Sequence, residues 1–301
     1  MKTKPQVTIG ICVKNGEATI TDTIKSLSNQ DFPHDFMEIV IVNDGSTDRT
    51  LELITTSIKN INVQHRLFNA SCRGLGPARN TIIDKARGDF VLWVDDDVEL
   101  SQDYIKTQVE FMQKNPQVGI TTGSFGLIKD TSLIAKLENM ERRVMDLLYG
   151  KKLRSKPIKA DHIVGSLFRL DAMKQVNGFN EEFKGAFEDF DISYRIGQAG
   201  WLIYLGNNVH FYHREKTTFS GLWRQSFWYG YGQHLLSHKV ADVIPYGSIL
   251  SGIQYPSIAY RITLDKTAFL MPIHFYFKKL AWLSGFIKSH IDGYGHSNNK
   301  H

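Results

Sequence analysis

The chain has 301 residues, 42% hydrophobic and 22% charged, which excludes a disordered or fibrous protein and allows one large domain or two smaller ones. A formal net charge of +5 favours anionic partners such as nucleotides, lipid phosphates or a membrane surface; a nucleic-acid role would rest on charge alone, so none is expected. Two cysteines, Cys12 and Cys72, make no disulfide framework or metal cluster, and a reducing, cytoplasmic setting is expected.

The apolar run Val7–Val13 has strand length and is too short for a signal-peptide core. No run of about 18 apolar residues occurs, so no spanning helix is expected. Residues 18–29 carry Ile20, Ile24 and Leu27 at helical spacing, and 38–42 is a β-branched strand ending at Asn43 and Asp44. Ser46, Thr47 and Asp48 offer N-caps to a helix with Leu51, Ile54 and Ile58. Residues 62–66 suit a third strand, and Pro77 suits the first turn of a helix through Ala86. Residues 90–94 form a fourth strand that runs into three aspartates, and Ile105, Val109 and Met112 mark the next helix. Residues 133–148 predict an amphipathic helix with Ile134, Leu137, Met140, Val144 and Leu147 on one stripe, followed by a basic stretch over 151–159. Residues 163–169 read as a strand, 171–176 and 189–198 as helices closed by Gly178 and Gly200, and 201–205 as a last strand. Beyond Arg214 the pattern is helical and aromatic.

Such alternation predicts an α/β fold: a mostly parallel, Rossmann-like sheet with helices on both faces, plus a helical C-terminal extension. Ligands on such sheets bind beyond the carboxyl ends of the strands, where Asp44 and Asp95-Asp96-Asp97 fall. Three adjacent carboxylates repel one another unless a cation sits among them, and Mg2+ or Mn2+ shares such ligands with substrate phosphates. The alternative is an acidic turn capping a helix. Asp44 can accept hydrogen bonds from a base or ribose, or hold its own turn. Gly74-Leu75-Gly76-Pro77-Ala78-Arg79-Asn80 puts Arg79 in a first helical turn, facing either a phosphate or a nearby acid. In Phe187-Glu188-Asp189-Phe190-Asp191, acids open a helix, as its dipole favours, or supply a general base. His210 and His213 lack the further ligands of a zinc site; His213 suits a phosphate or a metal shared with an Asp.

In order, Asn15, Asp44-Gly45-Ser46-Thr47-Asp48, Ala78-Arg79-Asn80, Asp95-Asp96-Asp97, Glu188-Asp189 and His213 resemble the family 2 glycosyltransferases of GT-A fold, over residues 7–213. The resemblance implies a catalytic domain over 1–215, with a nucleotide-sugar-binding half (1–125) and an acceptor half (126–215), and an extension over 216–301. It implies an inverting, metal-dependent hexosyltransferase-type enzyme that uses a nucleotide-diphosphate-sugar donor and a glycan or lipid-linked acceptor in cell-envelope polysaccharide synthesis. Asp189 would be the catalytic base beside Glu188. Asn15, Asp44, Arg79, Asp95 and Asp96 would line the nucleotide site, Asp191 would shape the acceptor site, and Asp97, Asp95 and His213 would hold Mn2+ or Mg2+. One departure is Lys14, which stands where the family often carries an aromatic residue against the base.

In Trp223-Arg224-Gln225-Ser226-Phe227-Trp228-Tyr229-Gly230, the Gln-x-x-Arg-Trp of processive polysaccharide synthases lacks its Arg, and single-sugar transfer is expected. The cluster Phe227, Trp228, Tyr229 and Tyr231 either stacks on an acceptor sugar or packs as core. Residues 268–287 are apolar and aromatic with Lys278 and Lys279 among them. They suit either a packed helix or peripheral contact with the cytoplasmic face of a membrane. Two other readings remain at this stage. A sugar nucleotidyltransferase would need a Gly-rich basic loop that Lys14-Asn15-Gly16 matches poorly. A non-catalytic glycan- or nucleotide-binding module would not need the acidic pairs.

Overall fold

A computed structural model describes residues 4–126, 132–150, 163–240 and 251–294. The basic stretch expected over 151–159 lies outside them. The chain divides into two compact units, one of residues 1–128, 152–182 and 188–214, the other of residues 129–151, 183–187 and 215–301.

The first unit is built on one eight-stranded sheet. Its strands are β1 (Val7–Val13), β2 (Met37–Asp44), β3 (Gln64–Ala70), β4 (Phe90–Trp93), β5 (Val98–Leu100), β6 (Val118–Phe125), β7 (Ser166–Arg169) and β8 (Leu202–His213). They lie in the order β3-β2-β1-β4-β7-β6-β8-β5. Strands β1 to β4 are parallel, as are β6 and β8, whereas β7 runs antiparallel to both its neighbours and β5 antiparallel to β8. Side chains alternate across a strand, so β2 sends Ile39 and Ile41 to one face and Val40 and Val42 to the other. The first face is covered by α1 (Ile20–Ser28), α2 (Thr50–Ile58) and α4 (Tyr104–Lys114) through Ile24, Leu27, Ile54, Ile105 and Val109. The second is covered by α3 (Leu75–Lys85), α6 (Leu170–Gln175) and α7 (Glu188–Gln198) through Ala78, Ile82, Met173, Ile192 and Ile196. Burial on both faces is why β1, β2 and β4 read as continuous apolar runs.

The structure corrects several sequence expectations. Helix α2 starts after Arg49, beyond Ser46 and Thr47, because those two residues bond to Asn15; Asp48 Oδ1 instead accepts from Thr50 N at 3.0 Å. The third strand runs to Ala70, and β8 continues past residue 205 to His213. The strand expected over 163–169 begins only at Ser166, because Gly165 adopts φ +69° and its N–H donates to the Trp93 carbonyl.

The second unit contains α5 (Leu133–Met145), α8 (Phe219–Lys239), α9 (Ser251–Thr263) and α10 (Met271–Ile291). Ile134, Leu137, Met140 and Val144 of α5 are buried as expected. Leu147 is not: the helix widens to a π turn over Asp146–Gly150, which breaks the 3.6-residue stripe and leaves Leu147 exposed. Helices α8 and α10 touch through their backbones. A methyl group on Gly230 would overlap the Trp282 carbonyl, and one on Gly285 would overlap the Phe227 carbonyl. Tyr231 is core, whereas Trp228 and Tyr229 reach the surface.

Candidate active site

The acidic residues collect where β1, β2 and β4 end, within the first unit. Asn15 holds the backbone left-handed at φ 57° and ties two loops together. Its N–H donates to Ser46 Oγ at 2.9 Å, and its Oδ1 accepts from Thr47 N at 2.9 Å. Asp44 is buried at the end of β2, where its two carboxylate oxygens accept from Arg73 N (2.9 Å) and Gly74 N (3.0 Å). Each oxygen keeps a further lone pair for a ligand. Lys14 donates to Cys72 Sγ at 2.8 Å, so its ammonium sits at the loop that Asp44 organises. Both cysteines are free, and burial pushes the Cys12 thiol up to about 12.

The three aspartates after β4 diverge. Asp96 turns to α1, where its Oδ2 accepts from Thr19 Oγ1 at 3.0 Å and packs over Gly16. Burial, with Asp97 and Asp95 beside it, pushes its pKa up to about 6. Asp95 and Asp97 instead face His213. A ligand atom from each of the three lies within 4.8 Å of the other two, and His213 Nε2 is 3.3 Å from Asp97 Oδ1. The sheet causes this meeting: β5 follows the aspartates at once and pairs Val98 with His213 of β8. Burial raises the pKa of Asp95 against the pull of Arg79.

Arg79 is only 3% exposed. Its guanidinium lies 2.5 Å from Glu188 and 3.6 Å from Asp95, with the Trp93 and Phe179 rings at 5.9 and 5.5 Å. Burial works against its charge, but Glu188 and Asp95 outweigh it and hold its pKa up. Burial also pushes the Glu188 carboxyl up to about 7, against Arg79. Arg79 thus links the first turn of α7 to the acids after β4. Asp189, next on α7, is half-buried; its Oδ1 accepts from Phe190 N at 2.7 Å.

Asp191, two residues further along α7, makes a structural contact of its own. It is buried and accepts from Arg195 Nε at 2.9 Å and from a terminal Arg195 nitrogen at 2.7 Å. Arg195 in turn donates to the carbonyls of Val176 and Gly178 after α6. This carboxylate therefore fastens α7 to the end of α6. Sequence reasoning also missed Thr19 as the partner of Asp96, although its place just before an amphipathic helix was a readable signal.

The donor set of Asp95, Asp97 and His213 fits a divalent cation. Two carboxylates and an imidazole suit Mn2+, and it is His213 Nε2 that faces Asp97.

The family model described as Glycosyl transferase family 2 matches residues 8–176. The poly-beta-1,6-N-acetyl-D-glucosamine synthase of Staphylococcus epidermidis is 26% identical over 221 residues, 73% of this chain and 52% of the synthase. The poly(ribitol-phosphate) beta-N-acetylglucosaminyltransferase TarS of Staphylococcus aureus is 34% identical over 101 residues, 34% of this chain and 18% of TarS. The chain thus spans about half the length of the first of these relatives and less of the second. Among solved structures, the mannosyltransferase PcManGT of Pyrobaculum calidifontis, in complex with GDP-Man and Mn2+, superposes with a TM-score of 0.70. The superposition covers 96% of this chain and 88% of PcManGT at 16% identity, a likeness of fold.

Proposed function

The chain belongs to glycosyl transferase family 2, with its GT-A fold, and from that premise we propose that it moves a single sugar, with inversion, from a nucleotide-diphosphate-sugar to a hydroxyl of a glycan or lipid-linked acceptor. The observation that carries the reading is the joining of two acidic groups through one buried arginine: Asp95 and Asp97 with His213 on one side, Glu188-Asp189 on the other. The relatives' printed names, a polysaccharide synthase and a wall-polymer glycosyltransferase, support a role in cell-envelope polysaccharide assembly.

In this reading residues 1–215 are catalytic, with donor contacts in 1–125 and acceptor contacts in 126–215, and 216–301 is an extension. Asp44 and Asn15 hold the nucleoside from the ends of β2 and β1. Asp95, Asp97 and His213 would hold Mn2+ or Mg2+, which when bound offsets the charge on the departing diphosphate. Asp189 takes the proton of the acceptor hydroxyl as its oxygen attacks the anomeric carbon; the C–O bond to the diphosphate breaks on the opposite face. Glu188 and Arg79 position that base, and Asp96 fixes the aspartate loop on α1. A screen of nucleotide-sugars with Mn2+ or Mg2+ tests this. One donor should raise Tm and hydrolyse slowly, and EDTA should remove both effects. Release of diphosphate from a sugar phosphate and a nucleoside triphosphate would overturn it in favour of a nucleotidyltransferase.

Contact with the cytoplasmic face of a membrane is part of the proposal. No helix among the described residues is long and apolar enough to cross a membrane. Ile273, Tyr276, Leu280, Leu283, Ile287 and Ile291 nevertheless form an exposed stripe at three- and four-residue spacing on α10, from 43% exposed at Tyr276 to 72% at Ile291. A helix with such a face lies in the interface plane, with lysines such as Lys288 reaching the head groups. The variant Ile273→Glu/Leu280→Glu/Ile287→Glu is expected to stop sedimenting with anionic vesicles. Unchanged sedimentation would remove the membrane part and leave the transferase reading standing.

A further inference from the structure

A cluster of three histidines sits in the second unit. Helices α8 and α10 run in the same direction, since Phe219 and Trp223 of α8 meet Phe277 and, further on, His234 meets His290. Their C-terminal ends therefore lie together, and the carbonyl ends of both helix dipoles favour a cation there. Three imidazoles occupy that place. His234 and His238 are four residues apart on α8 and share a face, while His290 comes from the last turn of α10.

His234 is buried, and His238 and His290 are exposed. His234 Nε2 lies 3.3 Å from His290 Nδ1 and 3.4 Å from His238 Nε2. Its other nitrogen, Nδ1, is 3.3 Å from Ser289 Oγ, a fully buried hydroxyl. With Nδ1–H donating to Ser289, Nε2 presents its lone pair toward the two other rings. That lone pair serves a proton from one neighbour at a time, whereas a metal ion engages all three rings. The spacing also fits: with Zn–N near 2.0–2.1 Å, two ligands on a tetrahedral ion are about 3.3 Å apart. The remaining edge, between His238 and His290, is longer than 4.8 Å, so a bound ion would have to draw these two exposed rings together.

We propose that His234 Nε2, His238 Nε2 and His290 Nδ1 bind a Zn2+-class cation, with water as fourth ligand and Ser289 orienting His234. Imidazole donors without carboxylates favour Zn2+ over Mn2+ or Mg2+, so this site is chemically distinct from the one formed by Asp95, Asp97 and His213.

The test uses the full chain carrying Asp97→Asn and His213→Ala, so that zinc at the acidic cluster does not contribute. Equilibrium dialysis should find one Zn2+ per chain, and Co2+ in its place should give the intense visible band of a four-coordinate ion. Adding His238→Ala or His290→Ala, both at exposed positions, should weaken Zn2+ binding more than about tenfold. Ser289→Ala should weaken it about tenfold through His234. Melting followed by circular dichroism confirms that each variant is folded. Absent Zn2+ binding, or binding unchanged by His238→Ala and His290→Ala, overturns the proposal.

Discussion

Asp189→Asn is expected to lower the transfer rate by about 10²–10⁴-fold, the usual contribution of a general base, while the donor Kd stays the same. The substitution is nearly isosteric. Asn keeps the side-chain oxygen that accepts from Phe190 N, so the first turn of α7 is undisturbed. What disappears is the basic oxygen that takes the acceptor proton. The measurement is single-turnover transfer beside donor binding by calorimetry. If transfer continued at the parent rate, Asp189 would not be the base. A parallel loss of donor binding would instead make it a nucleotide contact.

Arg79→Met is expected to cost about 3–5 kcal/mol of stability, because it leaves the buried Glu188 carboxyl without its counter-charge. In a chain of this size that is a fall of roughly 10 °C in Tm. Transfer should fall as well, since Glu188 precedes Asp189 and Asp95 loses its link to α7. Arg79→Met/Glu188→Met removes both charges and should regain most of the lost Tm without regaining transfer. Thermal melting and transfer assays on the single and double variants separate the two effects. A double variant no more stable than Arg79→Met would mean that the ion pair is not the source of the loss.

Strands β1, β2 and β4 were legible because each is buried on both faces and so reads as an unbroken apolar run. Strand β6 was not: Val118–Phe125 mixes glycines and threonines, and its threonines 121 and 122 are buried with Thr121 bonded to Gln108. The antiparallel insertion of β7 between β4 and β6 depends on hydrogen bonds between distant segments, which carry no local pattern. The site divides the same way. Asp44, Asp95, Asp97 and Glu188-Asp189 announce themselves as acids at strand ends or a helix start. Arg79 was visible as a first-turn arginine, but its partner Glu188 lies 109 residues on. The pairing of Asp191 with Arg195, four residues on along the same helix, was not read from the sequence either.

The backbone contact of α8 with α10 at Gly230 and Gly285 makes the pair intolerant of changes in length. Inserting one residue before either glycine turns the helix beyond it by about 100°, presenting a side chain where only hydrogen fits. Natural variation in these two helices should consequently proceed by exchange of residues rather than by gain or loss of them.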